Sequence, residues 1–466
     1  MSKAARVLLP ALVVLTAAVF AGQVSAASKM PIGFYDDISF RWSPDRTTNL
    51  DRAAAAGASV IHTTASWPTI APTKPANAAD GDDPAYHLND LDELVNNATI
   101  RGIRVMIDIN GTPKWANGNQ APNRLPTSMS TLTTFAKMLA SRYNGHNGHG
   151  SVSLYSVWNE PNLGLFLMPQ FSGNKIVGPS NYAKLYKAAY AGIKAGNSLA
   201  QVAIGETSAR GRDKPLTGTS ASVAPATFAR LLAQTKGLQF AAWAHHPYPS
   251  TPALPPTQKV RYPNVALSTL PQFEKDLAKW FHRTVPIWIT EYGHETKPGE
   301  PKGVTNSVQA KYARQALQIA TKDPLVQMFI WFTFRDSSGN PWQSGLEGTT
   351  GAPKPSYATF KATATPVDGI TQSVRAGSSA VAKLYFPALY AYQGTGGSIG
   401  MTFWVTDSTT GKAVTSGQPV ETFLADQSVT IPLGFKPVKG HTYALLVNAN
   451  EINGHTEQQT ANLVGT

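Results

Sequence analysis

Cysteine is absent from this 466-residue sequence. Its absence excludes disulfide bonds, thiol chemistry and thiolate metal sites, so the fold must be stabilised by packing alone. The histidines show no His-Glu-x-x-His or comparable spacing of metal ligands, and no catalytic metal is therefore predicted. We expect the protein to need no cofactor.

Acidic residues are scarce, because 28 Asp and Glu stand against 40 Lys and Arg, for a formal net charge of +12. The basic residues form no run with interleaved aromatic residues, so no nucleic-acid partner is predicted. The excess charge has two interpretations, a soluble basic surface or attraction to an acidic wall polymer or polysaccharide. The chain is expected to be a monomer.

Long hydrophobic runs are also rare. One occurs at residues 7–20, after two basic residues, and small residues follow at positions 24–26. This pattern predicts a secretory signal peptide over residues 1–26, and hence an extracellular protein, either free or associated with the cell wall. A retained membrane anchor is the alternative, but the run is short for a span and is interrupted by Pro10. No membrane association is expected after cleavage.

The region that follows alternates between β-favouring runs and helix-like segments. The β-favouring runs are residues 31–35, 58–64, 104–109, 152–158, 201–205, 240–245, 285–290 and 326–332. The helix-like segments are residues 48–56, 88–101, 130–143, 181–195, 225–235, 267–281, 307–320 and 354–361. Several of the β runs are continuously apolar, as strands covered on both faces are. The alternation predicts an α/β fold, a (β/α)₈ TIM barrel over residues 30–364.

The character of the sequence changes after Pro366. Residues 382–386, 398–405, 427–431 and 442–447 are β-rich and are separated by turn-forming residues. They predict a C-terminal all-β sandwich domain over residues 370–466. This domain either binds glycan, through Tyr390, Tyr392 or Trp404, or packs against the barrel.

Two acidic residues close predicted barrel strands. Glu160 lies in Trp-Asn-Glu-Pro-Asn at the end of the fourth β run, and Glu291 ends the seventh within residues 286–293. Because the strands of a barrel end at one mouth, both carboxylates are predicted to face the same cleft. Cleavage of a glycosidic bond requires two carboxyl groups in different protonation states, and this pair is suited to that chemistry.

These two stretches resemble the strand-four and strand-seven signatures of clan A glycoside hydrolases, the group that includes families 5 and 39. The resemblance covers roughly residues 30–362 and implies a retaining enzyme with Glu160 as the acid/base and Glu291 as the nucleophile. The Trp-Asn-Glu-Pro-Asn form and the Pro113-x-Trp115 loop lean toward family 39. Retention requires the two carboxyl groups to lie about 5–5.5 Å apart.

The resemblance also implies roles for residues around this pair. Asn159 resembles the Asn that binds the sugar 2-hydroxyl, although it could simply close a turn. His246 and Tyr248 resemble the clan's His-x-Tyr, in which the Tyr keeps the nucleophile ionised, and the alternative is a packed His and Tyr. Trp331 resembles the aromatic platform beneath the sugar, although a buried Trp is also ordinary core.

Further candidates are less specific. Three more tryptophans are candidates for stacking on sugars: Trp67, Trp115 and Trp342. Glu206 ends the fifth β run and could contact a substrate hydroxyl or pair with Arg210 or Arg212. Residues 64–67 contain no arginine, although many clan members carry one there to support the nucleophile.

The leading hypothesis is a secreted retaining glycoside hydrolase that cleaves O-glycosidic bonds of a polysaccharide or oligosaccharide by double displacement. A carbohydrate-binding, wall-associated protein on a catalytically weak barrel is an alternative, and the presence of both Glu160 and Glu291 argues against it. A transglycosylase using the same site is a further alternative. The glycan, its linkage and endo or exo action are left open.

Overall fold

The computed structural model describes residues 30–101, 103–145, 148–338, 340–364, 370–384, 398–422, 429–450 and 456–466. The predicted signal peptide, residues 1–26, lies outside the described residues, as do Tyr390 and Tyr392. Within these ranges, no helix combines the length and the apolar character needed to cross a membrane.

Within the described chain, eight parallel strands form a barrel. They are β1 (Ile32–Tyr35), β2 (Val60–Ser66), β3 (Arg104–Asn110), β4 (Leu154–Val157), β5 (Gln201–Val202 and Ile204–Ser208), β6 (Trp243–His246), β7 (Ile287–Tyr292) and β8 (Val326–Trp331). The hydrogen-bonded order is β5-β4-β3-β2-β1-β8-β7-β6-β5. Strand β5 is interrupted at Ala203, and its first part pairs with β4 while its second pairs with β6. These two pairings close the ring.

A helix of eight or more residues follows each barrel strand in this part of the chain. The helices are α1 (Arg46–Ala55), α2 (Asn89–Ile100), α3 (Met129–Arg142), α4 (Gly178–Gly196), α5 (Pro225–Leu232), α6 (Leu270–Phe281), α7 (Asn306–Lys322) and α8 (Pro355–Ala364). Proline stands in the first turn of α4, α5 and α6, where its missing N–H would have no helical partner. The (β/α)₈ prediction is confirmed.

Two apolar clusters stabilise the barrel. The larger lies between the strands and the surrounding helices, whereas the smaller fills the barrel interior with residues such as Met106, Leu154, Trp288 and Ile330. The polar side chains of the site lie on the same strands, nearer their C-terminal ends. This arrangement is typical of TIM barrels.

The C-terminal part is all-β, as predicted. Its described strands are β9 (Ile370–Val374), β10 (Val381–Leu384), β11 (Ser398–Asp407), β12 (Lys412–Gly417), β13 (Val420–Thr422), β14 (Val429–Pro432), β15 (Thr442–Asn450) and β16 (Thr456–Gly465). One sheet has the order β9-β16-β15-β11-β12, with β13 also on β11, and β10 pairs with β14 in a second sheet. Side chains from both sheets share one core, including Phe403 and Leu445 from the first and Ala382 and Ile431 from the second.

Candidate active site

Glu160 follows β4 on a sharply turned backbone. Trp158 and Glu160 have φ angles of +71° and +38°, in a region that residues other than glycine seldom adopt. The turn is held because the Trp158 indole N–H donates to the Phe166 carbonyl at 2.7 Å and the Glu160 amide donates to the Glu206 carbonyl at 2.9 Å. The Glu160 side chain consequently lines a cleft at the mouth of the barrel.

Glu291 is the penultimate residue of β7 and lines the same cleft. Its carboxylate is almost buried, and the Tyr248 hydroxyl donates to Oε2 at 3.1 Å. Burial raises the pKa of Glu291 to about 7, against the lowering effect of His246 and of the Tyr248 hydrogen bond. The charge of Glu160 adds to this rise in the pKa of Glu291.

His246 lies between the acidic residues at the end of β6. Its Nδ1 is 3.2 Å from Oε1 of Glu160 and 3.6 Å from Oε2 of Glu291, and its Nε2 is 2.8 Å from Oε2 of Glu206. Burial opposes the charged ring, but the negative charges of Glu291, Glu160 and Glu206 outweigh it and raise the pKa of His246 well above the usual range. The His246 ring therefore contacts the carboxyl groups of Glu160, Glu206 and Glu291.

The cleft has a volume of about 470 Å³. Asn159 and Tyr248 line it beside the two carboxylates, together with the aromatic rings of Phe332 and Trp342. Trp342 contacts Tyr248 edge-on, with ring centroids 5.3 Å apart. Paired carboxylates beside aromatic faces suit a sugar, which presents both hydroxyl groups and apolar C–H faces.

Comparison with known proteins identifies the family. The chain matches the family model described as Cellulase (glycosyl hydrolase family 5) over residues 26–333. The chain belongs to glycosyl hydrolase family 5. The predicted clan A membership and glycosidase activity are thereby confirmed, although the sequence form around Glu160 had leaned toward family 39.

Solved structures agree on the fold of this family 5 glycosidase, whereas no curated protein sequence matches it. It is similar to a family 39 glycoside hydrolase from the gut symbiont Bacteroides cellulosilyticus WH2, with 18% identity, 87% of this chain and 81% of that chain covered, and a TM-score of 0.53. It is also similar to a glucosidase from Croceicoccus marinus, with 11% identity, 91% and 96% covered, and a TM-score of 0.56.

Trp331 of the family 5 chain is fully buried, so its predicted role as a sugar platform is wrong. Its indole N–H donates to the Ser344 carbonyl at 2.9 Å, and its ring packs edge-on against Tyr292. Side chains alternate along a strand, and Trp331 accordingly faces the helices while the next residue, Phe332, faces the cleft. Phe332 and Trp342 are therefore the aromatic residues available to a sugar here.

Trp67 and Trp115 do not line the cleft of the family 5 chain either. Trp67 is buried and stacks on Phe135, with ring centroids 5.2 Å apart. Trp115 packs edge-on against Trp67 and donates to the Ala71 carbonyl at 2.8 Å. Both border a separate pocket of about 110 Å³. They therefore lie outside the cleft of Glu160 and Glu291, and their stacking on a sugar stays a prediction.

Glu206 does not reach the cleft of the family 5 chain, and it pairs with neither Arg210 nor Arg212. Gly205 and Glu206 have φ angles of +109° and +45°, which turn the end of β5 toward the barrel interior. The Glu206 carboxylate is buried and accepts a hydrogen bond from the Thr290 hydroxyl at 3.2 Å, in addition to its contact with His246. Its predicted direct contact with substrate is therefore wrong.

Besides Phe332, two further cleft residues of the family 5 chain were missed in the sequence. Tyr35, the last residue of β1, lines the cleft while its hydroxyl contacts Thr64 Oγ1 at 2.7 Å. Glu295 follows β7 by three residues and also lines the cleft, and burial raises its pKa to about 7. The rule that pointed to Glu160 and Glu291, an acid just after a barrel strand, would also have found Glu295.

In the described ranges, no group of three or more His, Asp or Glu side chains has an arrangement that could hold a metal ion.

Proposed function

We propose that this protein is a retaining glycoside hydrolase in which Glu160 is the acid/base and Glu291 the nucleophile. One observation carries the proposal: an oxygen of each carboxyl group lies within 3.6 Å of the same atom, Nδ1 of His246. Retaining enzymes hold the two groups about 5–5.5 Å apart, whereas inverting enzymes need room for a water molecule between the general-base carboxylate and the sugar. A shared contact on one nitrogen favours the shorter separation.

In the first step Glu160 gives its proton to the glycosidic oxygen as the bond from that oxygen to the anomeric carbon breaks. Glu291 attacks the anomeric carbon and forms a covalent glycosyl-enzyme. In the second step Glu160, now ionised, takes a proton from water. The resulting hydroxide oxygen displaces Glu291, and the sugar leaves with its original anomeric configuration.

Glu291 must be ionised to attack, and its neighbours favour that form. The Tyr248 hydroxyl donates to Oε2 of Glu291, and the positively charged ring of His246 lies 3.6 Å from the same oxygen. Both effects lower the pKa of Glu291 against the burial that raises it to about 7. The enzyme is therefore expected to gain activity as the pH rises through about 7.

Asn159, Phe332 and Trp342 line the cleft around these groups, which supports our assignment of Asn159 to the sugar 2-hydroxyl and of the two aromatic rings to stacking on the sugar. Glu295 and Arg210 line the cleft further out and can bind other hydroxyl groups. The substrate class is a polysaccharide or a derived oligosaccharide. We also propose that the protein is secreted, since residues 1–26 have the pattern of a signal peptide and the family match begins at residue 26.

The test is to incubate the protein with a panel of polysaccharides and aryl glycosides, beside Glu160→Gln and Glu291→Gln variants. The parent should release sugar whose first-formed anomer, read by proton NMR before mutarotation, has the configuration of the substrate. Glu274→Gln is the control, because it removes a buried carboxyl group on α6, away from the cleft. It should leave the activity unchanged.

Two other outcomes would replace the proposal. A parent that binds polymer without cleaving anything would be a carbohydrate-binding protein. A parent that transfers the sugar to an added glycan acceptor in preference to water would be a transglycosylase. Product analysis with and without acceptor separates these cases.

A further inference from the structure

No arginine or lysine among the described residues forms an ion pair with Glu291, the proposed nucleophile. In the described part of the chain, the basic group within ion-pair distance of Glu291 is His246. Residues 64–67, where many clan members carry an arginine, contain none, and His62 lies within β2 with its Nδ1 facing the Thr290 carbonyl at 3.2 Å. Whatever cation supports Glu291 must therefore come from the His246 ring.

Both ring nitrogens of His246 face carboxylate oxygens. Nε2 lies 2.8 Å from Glu206, and Nδ1 faces Glu160 and Glu291 on the opposite side. A neutral imidazole has a proton on only one nitrogen, whereas the imidazolium donates at both. The geometry around the ring therefore matches the charged form.

Glu206 does not line the cleft. It is fully buried, and its Oε2 faces both Nε2 of His246 and the Thr290 hydroxyl. Burial alone would raise the pKa of Glu206, but the hydrogen bond from His246 outweighs it and lowers that pKa. The charged form of Glu206 beneath the ring is thus favoured.

The other ionisable groups around His246 favour their neutral forms. Burial lowers the pKa of His245 to about 3 and also lowers that of His62. Burial, together with the charge of Glu206, raises the pKa of Asp108 well above the usual range. The acidic groups that face the ring are therefore Glu206 on one side and the two cleft carboxyl groups on the other.

We propose that Glu206 is a positioning residue, which keeps His246 doubly protonated and fixed at Nε2 so that the imidazolium supports Glu291 in place of an arginine. The role of Glu291 in this statement rests on the function proposed above. Glu206 itself touches no substrate. It acts through the ring, and its removal should change the charge of the ring and the pH dependence of the reaction.

The first experiment reads the ring directly in the unaltered full chain. Histidine labelled with ¹⁵N in the ring distinguishes imidazolium, with two protonated nitrogens, from the neutral ring, and a His246→Gln sample assigns the signal. His246 should be charged between about pH 5 and 8, where ordinary histidines titrate. The His245 signal should be neutral over the same range. A neutral His246 ring at pH 6 would overturn the proposal whether or not any glycan is cleaved.

The second experiment compares Glu206→Gln with the buried-carboxyl control Glu274→Gln. The glutamine keeps the shape and an acceptor oxygen but removes the charge. The His246 ring should lose its proton at a lower pH, and the acid limb of kcat/KM should move to higher pH by about one unit, which is about tenfold in activity on that limb. The value of kcat should fall more than KM changes. Glu274→Gln should move neither.

A merely structural role for Glu206 predicts a different pattern. Activity would then fall by the same factor at every pH, and His246 would stay charged, which would overturn the proposal. If Glu206→Gln does not fold, the titration of His246 in the unaltered chain decides the question alone. If the protein cleaves no glycan, the ring measurement still tests the Glu206 assignment, so the two proposals fail separately.

Discussion

Two neighbouring layers inside the barrel are built by the same strands and have opposite chemistry. The lower layer is apolar and includes Val60, Met106, Ala244 and Trp288. Two residues further along the same strands, the upper layer contains His62, Asp108, His246 and Thr290, all buried. Because side chains alternate with a period of two, both layers face the barrel interior. The N-terminal part of each of these strands therefore contributes to the apolar core, and its C-terminal end contributes to the candidate active site.

The two layers differ in what their burial contributes. Burying apolar side chains stabilises the fold, whereas burying ionisable groups costs free energy unless they are paired or neutral. His62 and Asp108 avoid that cost because their neutral forms are favoured. Burial lowers the pKa of His62 and raises the pKa of Asp108. The charged groups of the upper layer are therefore Glu206 and His246, which form an ion pair with each other. The upper layer is organised for chemistry at the expense of stability.

The largest effect is expected from breaking the lower layer. Trp288 is buried between Ala244 and Met328 on the neighbouring strands, and Trp288→Ala should lower the free energy of unfolding by about 3–5 kcal/mol. Urea unfolding at equilibrium measures it. The control is Trp404→Ala on β11, where the side chain is 42% exposed, and the change should stay within about 0.5 kcal/mol. Equal losses at both positions would contradict the assignment of stability to this layer.

A smaller effect is expected above the layers, at the hydroxyl that contacts the nucleophile. Tyr248→Phe removes the hydrogen bond to Glu291 at 3.1 Å, and hydrogen bonds to charged groups contribute about 1.5–3 kcal/mol. We expect kcat/KM to fall by roughly 10- to 100-fold.

The pH dependence of kcat/KM should also change in a defined direction in Tyr248→Phe. The Tyr248 hydrogen bond lowers the pKa of Glu291, so its loss raises that pKa. Because the ionised nucleophile is the active form, the acid limb should then move to higher pH, and activity should recover partly as the pH rises. Loss by a constant factor across the profile would show that Tyr248 acts on the sugar and not on Glu291.

A third substitution tests the upper layer through stability. The raised pKa of Asp108 means that the native state holds its proton more tightly than the unfolded chain does. Its contribution to stability is therefore present at low pH and is lost as the pH rises above the unfolded value of about 4. Asp108→Asn cannot ionise, so it should be more stable than the parent at pH 8 by about 1 kcal/mol or more.

The measurement is urea unfolding of both proteins from pH 5 to 8. The difference between them should grow with pH, because only the parent has a buried carboxyl group that resists ionisation. A parent that becomes more stable than Asp108→Asn as the pH rises would show that the carboxylate has a partner in the folded state.

Much of the barrel followed from periodicity and from the rule that catalytic residues lie where strands end. That rule placed Glu160, Glu291 and Tyr248 in one cleft without any knowledge of packing. It misassigned Glu206, because the break in β5 and the positive φ angles at Gly205 and Glu206 have no clear signal in the sequence.

Strands of the C-terminal part were missed for a related reason. Thr456–Gly465 forms β16 with a sequence rich in Thr, Gln and Asn, and it shows little of the apolar alternation on which strand prediction depends. It pairs over its length with Thr442–Asn450, which was partly predicted. Tertiary pairing, and not local preference, determines that strand.

The smallest effect is expected from the aromatic contact with the sugar, which was predicted for Trp331 but is available in the structure at Trp342. Trp331 and Trp342 lie eleven positions apart; the first is buried and the second lines the cleft. Trp342→Ala should raise KM by about three- to tenfold, because aromatic stacking contributes about 0.5–1.5 kcal/mol. Trp331→Phe should leave KM unchanged and instead lower the free energy of unfolding, because it removes the hydrogen bond to Ser344. If Trp331→Phe raised KM and Trp342→Ala had no effect, Trp331 would be the residue that stacks on the sugar. Strand β8 would then have to turn its other face toward the sugar.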